Sequence, residues 1–217
     1  MSLLTLSFDN GPDPDVTPRV LDILARHGIA AHFFVLGKHL GSDEGRHLVE
    51  RARDEGHLIG NHSFTHAVPL GEDARPDAVE EEIAATDALL SPLVPPPKRF
   101  RPFGGGGRLG PHLLNQRAVD HLIAHGYSCV LWNSVPGDWL DPEGWPEKAL
   151  ADCVTRPHTL LVLHDIPNAC LQGLDGFLHK ARALGLRFTT ACPPDCVPIV
   201  DGRVMGDLGG LVATGSH

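Results

Sequence analysis

Short apolar runs alternate along this chain with amphipathic stretches of about a dozen residues. Residues 3–8 predict a strand that stops abruptly at Asp9-Asn10-Gly11-Pro12, a turn-forming run. In residues 17–27, Val20, Leu21 and Leu24 recur at helical spacing, and Gly28 supplies a C-cap. Residues 31–36 predict a second buried strand, 46–55 a helix stopped by Gly56, and 58–61 a third strand. Residues 76–90 carry a proline near the first helical position and Val79, Ile83 and Leu90 along one stripe, which predicts an amphipathic helix. Glu80, Glu81 and Glu82 fall in its first turns, where the helix dipole favours acids. Further strands are expected at 99–101, 128–132 and 159–163, with helices at 113–125, 146–154 and 174–184. From Arg187 onward the pattern is strand and loop, ending in a glycine-rich tail. The proline-rich run 92–97 is too short for a linker, so one domain spans residues 1–217.

Strands alternating with helices imply an α/β fold with a parallel sheet and right-handed crossovers. Polar clusters follow the strands at Asp9-Asn10, His62-Ser63, Arg101-Pro102, Asp138-Trp139 and His164-Asp165. In a closed βα barrel those positions share one rim, where active sites are built. Five such clusters at five strand ends are hard to explain by packing alone.

Composition narrows the partners. The chain is 42% hydrophobic and 21% charged, ordinary globular values. A formal charge of −9 excludes the basic footprint that nucleic-acid binding needs. No apolar run is long enough to span a bilayer, and the first residues lack a basic leader region. Five irregularly spaced cysteines are expected as reduced thiols, and a cytoplasmic location follows as an expectation. Oligomeric state is not legible.

His62 and His66 stand one helical turn apart, a spacing that lets both reach one metal ion from a helix or tight turn. With 14 histidines in the chain, a chance pair at this spacing is unsurprising. Asp9 alone reads equally as an Asx turn, and His164-Asp165 as a capped strand end. In order, however, Ser7-Phe8-Asp9-Asn10-Gly11-Pro12, His62-Ser63-Phe64-Thr65-His66, Phe100-Arg101-Pro102-Phe103-Gly104, the run from Trp132 to Trp139, and Leu161-Val162-Leu163-His164-Asp165 resemble five motifs of one family. That family is the polysaccharide deacetylases of carbohydrate esterase family 4, the NodB-homology domain. The resemblance covers most of the chain and implies an irregular (β/α)7 barrel.

It also implies roles. Asp9 would be the general base, Arg101 its positioning partner, His164 the general acid and Asp138 the group tuning that acid. His62 and His66, with Asn10 where the family usually carries Asp, would hold a divalent metal, zinc first. Pro102, Phe103, Trp139 and Leu163 would line the substrate pocket, while Trp132, inside a strand, is expected in the core. Val135 replaces an acid often found in the fourth motif. The implied activity is hydrolysis of a carbon–nitrogen amide bond, with an N-acetylated sugar as the leading substrate. A small cyclic amide or ureide is the first rival, and a binding module with a decayed site the second. Gly105-Gly106-Gly107-Arg108-Leu109-Gly110 satisfies a dinucleotide fingerprint but does not follow the first strand of a βαβ unit, so a flexible rim loop is expected there.

Overall fold

The computed structural model describes residues 2–214. Six parallel strands, β1 (Leu3–Asp9), β2 (His32–Val35), β3 (Leu58–Asn61), β4 (Lys98–Phe100), β5 (Tyr127–Cys129) and β6 (His158–His164), lie in the order β6-β1-β2-β3-β4-β5. Ser134 bridges Leu161, which brings the segment after β5 back against β6 and curls the sheet toward closure. A two-residue strand, β7 (Arg187–Phe188), pairs the start of β1, and the antiparallel β8 (Ile199–Val200) and β9 (Arg203–Val204) extend the β5 edge. The helices are α1 (Thr17–His27), α2 (Asp43–Asp54), α3 (Ala85–Leu90), α4 (Gln116–Ala124), α5 (Trp145–Thr155) and α6 (Leu171–Ala183). The parallel sheet is the one that the alternation of elements predicts, and its curl is consistent with the irregular barrel that the resemblance implies. Among the described residues no helix is long and apolar enough to cross a membrane.

Strand alternation decides what faces the barrel interior. On β1, Leu4, Leu6 and Phe8 join the outer cluster with Val20, Leu21 and Leu24 of α1 and Leu174, Phe177 and Leu178 of α6. Thr5, Ser7 and Asp9 therefore point inward, all fully or nearly buried. On β6 the outward set is Leu161 and Leu163, and Leu160 and Val162 face the second cluster, with Phe34 and Phe100. Leu163, expected in the pocket wall, thus packs against helices. The pleat carries it to the opposite face from His164.

Caps explain where other elements depart from expectation. Ser42 Oγ accepts from Gly45 N–H at 3.0 Å, so α2 starts earlier than its apolar stripe. Asn115 Oδ1 caps Ala118 N–H at 2.9 Å, so α4 starts later. The predicted 76–90 helix contains a π turn, Glu80–Ala84, ahead of α3. Within it Glu82 is 3% exposed rather than solvated. Wider turns of this kind collect at functional sites, and this one bears on the site below.

Candidate active site

Asp9 ends β1 and His164 ends β6, and the two are partners in register across neighbouring parallel strands. Their side chains share the inward face, so base and acid candidates stand side by side at one rim. Asp9 is held by Arg101, whose Nη1 donates to Asp9 Oδ1 at 2.8 Å and to Ser7 Oγ at 2.7 Å. Arg101 follows β4 and is fully buried. Its Nε and Nη2 donate to the carbonyls of Val130 and Leu131, both at 3.1 Å, and its guanidinium lies 4.0 Å from the Phe34 ring. A buried cation costs several kcal/mol unless paired and hydrogen-bonded, and here every nitrogen of the guanidinium donates at least once. Burial alone would raise the Asp9 carboxyl. The charge and hydrogen bond of Arg101 outweigh that and hold it below its ordinary value.

His164 Nδ1 donates to Asp138 Oδ1 at 2.8 Å, and its backbone N–H donates to Asp138 Oδ2 at 2.8 Å. This fixes the tautomer, leaving Nε2 as the exchanging atom. Burial pulls the imidazole pKa down, but the Asp138 bond and charge win and the net shift is upward. Trp139 packs edge-on against the ring, with centroids 4.7 Å apart.

His62 Nδ1 lies 2.8 Å from the Arg101 carbonyl, which only accepts, so the proton sits on Nδ1. The lone pair of Nε2 then faces Asp9 Oδ2 at 3.6 Å. Two electron-rich atoms at that separation call for a cation or a donor between them. Burial pushes His62 down and, with the neighbouring His62, pushes His66 down to about 3, which keeps both imidazoles neutral and able to ligate. Asn10 Oδ1 is buried without a hydrogen-bond partner. Asn10, Ser63 and His66 all adopt left-handed backbone, at φ 75, 69 and 59°. Strain at three residues of one rim is usually retained for function. The donors present therefore fit a divalent ion: two neutral imidazoles and an unpaired amide oxygen. His62 and His66 sit on a loop, not a helix, with ring centroids 4.8 Å apart.

That loop is held by a residue the sequence reading assigned to a helix dipole. The buried Glu82 carboxylate accepts from Phe64 N–H at 2.9 Å, Thr65 N–H at 2.8 Å and Thr65 Oγ1 at 2.5 Å. No spacing rule links position 82 to position 65. Asp165 is also buried: its Oδ2 accepts from Thr17 Oγ1 at 2.6 Å, and burial raises its pKa to about 7. A Cβ on Gly11 would fall 2.1 Å from Asp165 Oδ2, so the β1 turn needs glycine there.

Asp9, Asn10, His62, His66 and His164 open onto a cavity of about 210 Å³. Phe103, Val135, Trp139, Val162 and Ile166 form its apolar walls. The structure thus places Phe103 and Trp139 in the wall as expected. It replaces Leu163 by Val162, and leaves Pro102 buried away from the cavity. Trp132, expected in the core, is 5% exposed yet reaches the cavity too. Its Nε1 donates to Gly107 O at 2.7 Å, and a Cβ on Gly104 would strike the ring at 2.5 Å. The glycine run is therefore a cavity rim seated on Trp132.

Comparison with known proteins agrees with this geometry. Residues 2–130 match the family described as polysaccharide deacetylase. A peptidoglycan-N-acetylglucosamine deacetylase of Bacillus cereus is 30% identical over 199 residues, covering 86% of this chain and 66% of the relative. A chitooligosaccharide deacetylase of Rhizobium leguminosarum bv. trifolii is 33% identical over 180 residues, covering 78% and 77%. Among solved structures, a peptidoglycan N-acetylglucosamine deacetylase bound to 4-naphthalen-1-yl-N-oxidanyl-benzamide superposes with a TM-score of 0.73 at 27% identity, covering 92% of this chain and 89% of that one. A family 4 acetyl xylan esterase from Clostridium thermocellum, in complex with a cobalt ion, gives 0.68 at 29% identity and 87% coverage of each. A match over more than half of the sequence, together with a relative one-third identical along most of its length, makes this chain a member of the polysaccharide deacetylase family.

Proposed function

We propose that this protein hydrolyses the acetamide of an N-acetylated sugar, releasing acetate and leaving a free amine. The observation that carries the reading is the register pairing of Asp9 with His164, each braced by its own buried partner, Arg101 and Asp138. Water attacks the amide carbonyl while Asp9 takes its proton; His164 Nε2 then protonates the departing nitrogen as the C–N bond breaks. Arg101 keeps Asp9 ionised and aimed, and Asp138 keeps His164 protonated until that step. Trp139 and Val162 exclude water from the side where an acetyl methyl would sit.

Asn10, His62 and His66 would hold a divalent ion, zinc by its donor set, which when bound would polarise the water and the carbonyl. The intact proton-transfer pairs argue against a decayed binding module. Relatives named for peptidoglycan and chitooligosaccharide argue for a glycan over a cyclic amide.

The test is acetate release from N-acetylated chitooligosaccharides and from peptidoglycan fragments, with zinc or cobalt supplied. Asp9→Asn and His164→Ala should each lower turnover by about 10² or more, the share general acid–base catalysis supplies. Arg101 keeps Ser7 Oγ and two carbonyls as acceptors when Asp9 is neutral, so the fold should survive the first change. Unchanged rates in both variants would remove the assigned roles.

A further inference from the structure

We propose that His27, Asp175 and His179 form a second, surface site for a divalent transition cation, clipping the end of α1 to α6. The three offer ligand atoms within 4.8 Å of one another, the only such trio of His, Cys, Asp or Glu among the described residues. His27 Nε2 lies 3.0 Å from Asp175 Oδ1, and His179 Nδ1 lies 3.7 Å from Asp175 Oδ2. Zinc–nitrogen bonds of about 2.0–2.1 Å set tetrahedral ligand–ligand edges of about 3.3 Å. Each separation is close to that edge, and because they run to different oxygens of Asp175, its carboxylate must turn one oxygen toward both rings or bind through both. The rings of His27 and His179 meet edge to face with centroids 4.6 Å apart.

Three features prepare the site. Asp175 and His179 are one helical turn apart on α6, so a single helix presents two ligands to the same point. His27 is the last residue of α1, at the negative end of the helix dipole, which favours a cation and where the Arg182 guanidinium already bonds the His27 carbonyl. Two imidazoles and a carboxylate leave a fourth position for water, a zinc-type donor set. His121 and His125 share the spacing and stack at 4.1 Å, yet among the described residues no third His, Cys, Asp or Glu ligand joins them.

Binding competes with three contacts, the first being the His27 Nε2–H bond to Asp175 Oδ1 at 3.0 Å, whose proton a bound cation would displace. Arg26 Nη2 stands 3.3 Å from Asp175 Oδ1, and His179 Nδ1 bonds the Asp175 carbonyl at 2.9 Å. Arg26 is 60% exposed at its side chain and His179 69%, so water replaces each of these last two contacts when it is released.

The site is separable from the cleft by calorimetry with zinc chloride on a His62→Ala, His66→Ala background. We expect one zinc per chain there, a loss of at least tenfold in affinity on adding His179→Ala, tighter binding on adding Arg26→Ala, and no change with His125→Ala. Zinc should also raise the melting temperature of the background protein, and His179→Ala should abolish that rise. In the otherwise unaltered protein, His179→Ala should remove one zinc equivalent and leave acetate release intact. An isotherm unaffected by His179→Ala in either background would overturn the proposal.

Discussion

Asp138 grips His164 at two atoms, taking the ring Nδ1–H on one carboxylate oxygen and the backbone N–H on the other, both at 2.8 Å. One residue thus sets both the pKa of the acid and its position. The imidazole is raised above its ordinary 6.5, chiefly through Asp138 once burial is overcome. A histidine raised by folding contributes stability that is fully present below the ordinary value and is lost as pH rises through the raised one. With His164 as the proposed general acid, the same raised value should set the alkaline limb of activity, because a general acid must be protonated. Asp138→Asn should move that limb to lower pH and cut turnover at pH 8 more than at pH 6. A pH–rate profile whose alkaline limb stays in place would show that Asp138 does not tune the acid.

The barrel and the rim were legible in the sequence because parallel strands buried on both faces read as apolar runs that end in polar residues. The same continuity hides which face each residue takes. Leu160-Leu161-Val162-Leu163 carries no alternation to separate inside from outside. Only the parity fixed by His164 does so, pointing Val162 inward and Leu163 out. Glu82 was illegible for another reason: its partners lie 17 and 18 residues away, across a loop and a π turn. Trp132 had a strand-like context, and nothing local showed that a glycine rim would seat on it.

The parity argument has a consequence that mutagenesis reads directly. Leu163→Ala removes a fully buried side chain from the helix-facing cluster and should destabilise by about 2–5 kcal/mol, with KM unchanged. Val162→Ala should cost less stability and change KM or kcat instead, since it trims the cavity wall. Denaturant unfolding paired with steady-state kinetics separates the two, and a KM effect at Leu163 without loss of stability would contradict the orientation.

Glu82→Gln tests whether the carboxylate organises the histidine loop. It keeps the side chain's size and can leave an oxygen on Phe64 and Thr65 N–H, but it removes the charge and puts a donor where Oε1 accepts from Thr65 Oγ1 and faces Arg75. Charge-assisted bonds of this kind contribute about 1.5–3 kcal/mol. The expected result is a modest fall in melting temperature and a larger fall in metal affinity, because His66 hangs on the same loop. Faster amide exchange at Phe64 and Thr65 would accompany it. Metal affinity equal to that of the unaltered protein would reduce Glu82 to a structural role.

Asn10 is the position where chemistry and sequence pull apart. Its Oδ1 is buried and unpartnered, in a residue that lines the same cavity as His62, and its φ of 75° suits Asn and Asp alike. Asn10→Asp therefore changes charge with little change of shape. Without an ion, the added carboxylate would stand next to Asp9, already held anionic by Arg101, and the repulsion should lower stability. With an ion, the same charge strengthens the ligand set. We expect tighter zinc or cobalt binding by calorimetry on metal-stripped protein. The melting temperature should depend on metal more steeply in the variant than in the unaltered chain. Equal, tight binding by both proteins would show that two imidazoles and a neutral amide already suffice. Loss of activity with no gain in metal would instead show a site built around the Asn10 amide N–H, as a donor to substrate or to Asp9, into which the new carboxylate brings repulsion of Asp9.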